Sequence, residues 1–338
     1  LRVGVNVERA EAFGKALSRI LERIVPDTFT DPRYYPGEEE SREKITAYFL
    51  VMVALDHRLS RPGRPYEGVV DGEFYHGADL LYRLGKKIFD YDPEFFTARR
   101  LATVKIDDIR NLFSAEKRDG RRIAPPDPEV RAALLRDLGS KLEKLYGGSA
   151  YRIVVESKGY LRHNVGEGFI DRLKIFTAYQ DPVEKKPFLL AKFLERRKIL
   201  PVWDGWNKEV PVDNHLTRIA IRTGIVDVDT EVLEKIAAGI EFSPEEDIIL
   251  RYNARLAYRI AAQAGGIDPF IMDDLLWQFG RHCCTRSAPT CRNGCTSGCE
   301  QIGGCGSNGK CIMTGVCLAE KNPLYMVNEH NFLNTWWY

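Results

Sequence analysis

An all-α fold, with room for a minor strand or two, is what this sequence predicts, on three observations. Apolar residues recur at helical spacing in nearly every segment, valine and isoleucine never alternate long enough for an extended sheet, and capping residues stand ahead of the periodic stretches. The 338 residues suffice for two lobes that share an interface, and 44% apolar with 29% charged residues is ordinary globular composition. No stretch reaches the ~18 consecutive apolar residues of a membrane-spanning helix. A formal net charge of +1 excludes a chain coated in positive charge and leaves room for a local basic face.

From the N-terminus, residues 1–25 read as an amphipathic helix with Phe13, Leu17, Ile20, Leu21 and Ile24 on one face. The basic, apolar, small-residue order of a secretion signal is absent, so a cytoplasmic location is expected. The apolar run in ESREKITAYFLVMVALDHRLS predicts a central buried helix. DPEFFTARRLATVKIDDIRNLFS reads as two short helices, each opened by an Asp or Thr cap. AEKRDGRRIAPPDPEV is a charged, proline-rich break whose Arg118, Arg121 and Arg122 either touch phosphates or are solvated. Six further stretches, from PDPEVRAALLRDLG to PEEDIILRYNARLAYRIAAQAGG, keep helical spacing. The expected organisation is N-terminal helices over 1–75 packing with a C-terminal lobe, a helical lobe over 76–212, that C-terminal lobe over 213–282, and a cysteine loop with an aromatic tail over 283–338. The closing Trp336, Trp337 and Tyr338 expose too much aromatic surface to stay wet, so they are expected to pack on the body or against a partner.

Chemistry first enters in GFIDRLKIFTAYQDPVEKKPFLLAKFL, where two apolar helices meet at a short turn. Asp181 is placed as N-cap of the second helix, with Pro182 at its first position and Glu184 closing a capping box. Lys185 and Lys186 then fall within about one turn of a helix N-terminus, where the dipole disfavours a cation. A dry pocket would push such an ammonium further toward the neutral amine that a nucleophile needs. The alternative is a solvated lysine pair. Downstream, Asp213 in VPVDNHLTRIAIRTG stands at another helix start, where a plain capping role is worth about 1 kcal/mol.

VDNHLTR resembles the V-D-x-H-x-x-R helix start of endonuclease III-type enzymes, whose aspartate is catalytic. The upstream segment is similar to a narrower branch of the helix-hairpin-helix DNA glycosylases, the archaeal 8-oxoguanine DNA glycosylases. That branch carries D-P-x-x-K, a second lysine seven residues on, and a late D-x-x-x-W. Here the matching residues are Asp181, Pro182, Lys185 and Lys192, then Asp273 and Trp277. The resemblance spans residues 169–280. It departs in having no glycine in TAYQDP and in placing Lys186 after the matched lysine; the spacings select Lys185.

What the resemblance implies is a two-lobed enzyme that flips a damaged purine, such as 8-oxoguanine, out of double-stranded DNA. Lys185 would attack the sugar C1′ and release the base, and the resulting Schiff base would allow AP lyase strand cleavage by β-elimination. Asp213 would stabilise the developing sugar cation or relay a proton. Lys192, Asp273 and Trp277 would bind the base, against the alternatives of a structural charge for Lys192 and core packing for Trp277. A monomer is expected. A glycohydrolase acting on a modified nucleoside or nucleotide, or a non-catalytic nucleic-acid-binding iron–sulfur protein, are the competing readings.

All eight cysteines fall between residues 283 and 317, in a glycine-rich stretch with no apolar run to fold it, so the loop needs metal or cross-links. Endonuclease III-like enzymes carry a four-cysteine iron–sulfur loop at this place, beginning C-x6-C and ending C-x5-C. Cys284 with Cys291, and Cys311 with Cys317, match those spacings. The resemblance therefore implies a [4Fe–4S] cluster on these four, with zinc or disulfides as alternatives. Cys295, Cys299 and Cys305 read as part of an insertion, and the four extra cysteines are free to bridge among themselves even with a cluster present. Arg281, Arg286, Arg292, Lys310 and Lys321 fringe the loop, as phosphate contacts or as solvated charge.

Overall fold

The computed structural model describes residues 2–21 and 24–338, and the chain divides into two compact units. The first is Leu1–Pro26 with Lys208–Leu333; the second is Asp27–Asn207 with Asn334–Tyr338. The division at Pro26 differs from the organisation expected over residues 1–75: residues 1–26 join the unit that holds 208–333, while 27–75 belong with the helical segment up to 207. Sixteen α-helices lie among the described residues, alongside two small sheets, so the protein is mostly helical rather than purely so. No described helix is long and apolar enough to cross a membrane.

In the first unit the N-terminal segment opens as a strand, Val3–Val5, paired antiparallel with Val226–Val228. Asn6 then caps a helix over Val7–Ser18, accepting from the Arg9 N–H at 3.0 Å. The expected helix is therefore shorter at both ends; Leu1, Glu22 and Arg23, within its span, lie outside the described residues. Phe13, Leu17 and Ile20 are buried as the spacing predicts. This helix crosses Pro244–Gly265 at close range through Gly14. A Cβ at Gly14 would sit 1.9 Å from the Ala261 carbonyl oxygen. Ser243 and Glu246 form a capping box at the head of Pro244–Gly265.

The second unit is built around Arg42–Leu55, which is buried without interruption from Ile45 to Leu55. That is the central helix expected from the apolar run. The hairpin helix Lys185–Arg196 packs against it, with Phe49 and Phe193 stacked at 4.9 Å between ring centroids. The proline-rich break is not shapeless. Ala115–Glu116 and Arg122–Ile123 join Glu67–Val70 and Glu73–His76 in a four-stranded antiparallel sheet. Strands of two to four residues are too short to leave an alternation signal. The aromatic tail packs on this unit: the Trp336 indole N–H donates to Thr177 O at 3.1 Å, and Tyr338 is buried under Arg58.

Candidate functional site

The hairpin places both lysines at the first two positions of Lys185–Arg196. Asp181 is not the N-cap, which is Glu184, but from four residues upstream its two carboxylate oxygens accept from the Val183 and Lys185 N–H groups at 2.9 and 2.8 Å. The helix begins later than Pro182 because Glu184 turns into the left-handed region at φ 64°. Its side chain closes no capping box. It pairs instead with Arg162 at 2.7 Å and Lys174 at 3.0 Å. Burial pushes the Glu184 carboxyl up, but the Arg162 and Lys174 contacts prevail and hold it at about 2.

The lysine side chains meet the C-terminal end of the central helix, whose last carbonyls lack partners within the helix and carry its negative dipole end. Lys186 is fully buried and donates from Nζ to Ala54 O at 2.6 Å, with His57 Nδ1 at 3.0 Å. Buried Arg131 bonds the carbonyls of Leu55, His57 and Arg58. Lys185 Nζ takes the remaining carbonyl, Asp56 O, at 3.2 Å and lies 4.0 Å from the Asp56 carboxylate. Burial, reinforced by Lys185 and Arg131, holds the Lys186 ammonium well below the usual lysine range. Burial and the charges of Arg131, Lys186 and Lys185 push His57 the same way and keep it neutral. Lys186 is thus a structural lysine with its nitrogen engaged twice, whereas Lys185 makes one longer hydrogen bond near a partly exposed carboxylate. Lys192, two turns on, is buried with Nζ 5.4 Å from the Phe29 ring.

In the first unit, Asp213 is the N-cap of Asn214–Thr223. Its Oδ1 accepts from the Leu216 N–H at 2.9 Å, and the residue is only half-buried. The chain just ahead is fixed from behind by Arg251, which reaches Val212 O at 3.3 Å and pairs with the buried Asp247 at 3.0 Å. Asp247 also bonds His330 Nε2 at 2.7 Å. Glu329 gathers Asn214, His215 and Arg218 around the first turn of the helix. The Glu329 contact raises the pKa of the exposed His215, while Glu329 itself is driven well below the usual carboxylate range.

Pro269–His282 carries Asp273 and Trp277 one turn apart. Asp273 is buried; Trp277 is 39% exposed and carries the Arg281 guanidinium 4.5 Å from its ring centroid. Arg218 ties this helix to the Asp213 helix by donating to Gly280 O at 3.2 Å.

The cysteine loop holds two disulfides, Cys283–Cys299 and Cys295–Cys305. Cys284, Cys291, Cys311 and Cys317 are free, and all four line one small pocket with Phe279 and Met313. Burial pushes the Cys311 and Cys317 thiols up to about 12 and about 11. Arg222, one turn after Arg218, reaches Cys284 Sγ at 3.5 Å and bonds Thr285 O and Arg286 O at 2.7 and 2.9 Å. Among the described residues, no group of three or more His, Cys, Asp or Glu is gathered to hold a metal ion.

The structure therefore gathers the expected residues in three places: Lys185 and Lys192 along one helix, Asp213, Asp273 and Trp277 on two tied helices, and the four free cysteines around one pocket. Sequence reading missed Asp56, His57, Arg131, Arg222 and Glu329. Their partners lie far away in the chain, and no local pattern marks them. No protein-family model matches this chain, and no curated protein matches its sequence.

Proposed function

We propose that this protein is a lysine-dependent DNA N-glycosylase with AP lyase activity, acting on a damaged purine such as 8-oxoguanine in double-stranded DNA. The observation that carries the reading is the setting of Lys185: the first residue of a capped helix, buried, and holding one carbonyl beside a lysine already engaged by the end of the central helix. Attack on C1′ needs a lysine amine, and Lys185 is the lysine of the pair with a single side-chain hydrogen bond, to Asp56 O at 3.2 Å. Lys185 takes this role because Lys186 already serves the end of the central helix. Asp213 contributes a carboxylate whose position is fixed by its own helix and by Arg251 behind it, suited to a developing oxocarbenium charge. Trp277 offers a flat surface for a base, and Arg281 a cation beside it for phosphate.

The reading includes a [4Fe–4S] cluster on Cys284, Cys291, Cys311 and Cys317. Its support is that these four thiols face one pocket while the remaining cysteines are bridged. Bound there, the cluster supplies covalent cross-linking of the loop. Arg222 beside Cys284 offsets thiolate charge and joins the loop to the Asp213 helix.

Borohydride trapping on a duplex containing 8-oxoguanine tests the reading. The parent chain and Lys186→Gln, where it folds, are expected to form the covalent complex, and Lys185→Gln to form none. Trapping by Lys185→Gln at the parental rate would overturn the lysine assignment.

A further inference from the structure

A cleft of about 710 Å³ opens in the second unit at the end of the hairpin helix remote from Lys185. Twelve helical residues at ~1.5 Å each put roughly 18 Å between the two ends, so the cleft is separate from the lysine. Val154, Ile199 and Leu200 give it apolar lining, and Tyr151 an aromatic ring. Arg42, Lys158 and Lys198 bring positive charge to it against the single carboxylate of Glu195.

The two lysines are placed unusually. Lys158 stands one residue past the C-cap of the Tyr151–Glu156 helix, and Lys198 one past that of Lys185–Arg196, with φ of 53° and 57°. Glycine is the usual residue there, and a side chain in this left-handed region costs ~1 kcal/mol. Neither lysine has a side-chain hydrogen bond or ion pair among the described residues. The chain thus keeps two strained, unpaired cations on one cleft, the kind of local cost that accompanies a binding role. Alongside, Gly159 leaves its side-chain space to Trp203, whose Nε1 would lie 2.5 Å from a Cβ there. Trp203 is held by its N–H to Gly159 O at 3.0 Å, yet its side chain is 63% exposed.

We propose that this cleft binds a nucleotide, its phosphate held by Lys158, Lys198 and Arg42 and its base laid on the apolar lining beside Trp203. The volume lies within the ~300–1,000 Å³ of small-ligand sites, and exposed tryptophan with unpaired lysine is the pairing that holds single nucleotides through stacking and charge. The nucleotide is either free or one unit of a DNA strand; both present the same chemistry.

Titration calorimetry of the full chain with deoxyguanosine monophosphate and with a short single-stranded oligonucleotide tests this. Lys158→Gly with Lys198→Gly relieves backbone strain, so the double variant is expected to stay folded and yet to lose at least tenfold in affinity. Trp203→Ala should weaken binding as well, whatever the outcome of trapping. Comparable affinity for both probes identifies a free nucleotide; binding of the oligonucleotide alone identifies a strand. Absence of binding by either probe at millimolar concentration, or parental affinity in the double glycine variant, would overturn the proposal.

Discussion

Glu184→Gln probes the turn that sets Lys185 at a helix start. The Glu184 carboxylate is buried between Arg162 and Lys174, and these contacts outweigh burial to hold its pKa at about 2 against an ordinary 4.5. At about 1.4 kcal/mol per pH unit, that difference is worth on the order of 3 kcal/mol at neutral pH. Arg162 and Lys174 are partly open to solvent, which screens the pair and reduces the expected loss to about 2 kcal/mol. The sign follows from the depressed folded value. The contribution is complete above the unfolded pKa of 4.5 and disappears as pH falls through about 2. Urea unfolding of the parent and Glu184→Gln across a pH series should therefore show a gap of about 2 kcal/mol at neutral pH that closes on acidification. A gap that is absent at neutral pH, or that does not change with pH, would refute the ion-pair account.

Other expectations concern catalysis, packing and the loop. Asp213→Asn keeps a capping side chain, so stability should change by less than ~0.5 kcal/mol while base release slows by orders of magnitude. A slowing under about tenfold, or ~1.4 kcal/mol of barrier, would reduce Asp213 to a cap. Gly14→Ala forces a methyl against the Ala261 backbone, which no side-chain motion relieves, and should cost at least ~2 kcal/mol in thermal unfolding. Cys284→Ser and Cys311→Ser should lower the iron content of anaerobically purified protein, and Cys295→Ser should not; equal iron in all would refute the ligand set.

The central helix was legible because its apolar run is continuous, and Ile45–Leu55 is buried throughout. Asp213 was legible as a cap because an acidic residue ahead of an apolar-periodic stretch is the common helix-start signal, and it accepts from the Leu216 N–H as a cap does. The start of the hairpin helix was misplaced because Glu184, a good helix former, takes a left-handed turn fixed by Arg162, twenty-two residues away. Long-range pairing hid the rest. Nothing near Lys186 in sequence announces that its amine would meet the carbonyl of Ala54, one hundred and thirty-two positions back. In the cysteine loop, the resemblance set Cys284, Cys291, Cys311 and Cys317 apart, and these are the four left unbridged; nothing in the sequence said which of the extra cysteines pair.

The pairing of Val3–Val5 with Val226–Val228 has a consequence for biosynthesis. A ribosome releasing this chain delivers one edge of that ribbon more than two hundred residues before the other. Residues 27–207 emerge as an uninterrupted stretch, while the opening segment, with the apolar face of Phe13 and Leu17 uncovered, must wait for residues 208–333. The interval is one in which a chaperone that shields a short amphipathic helix would find a client.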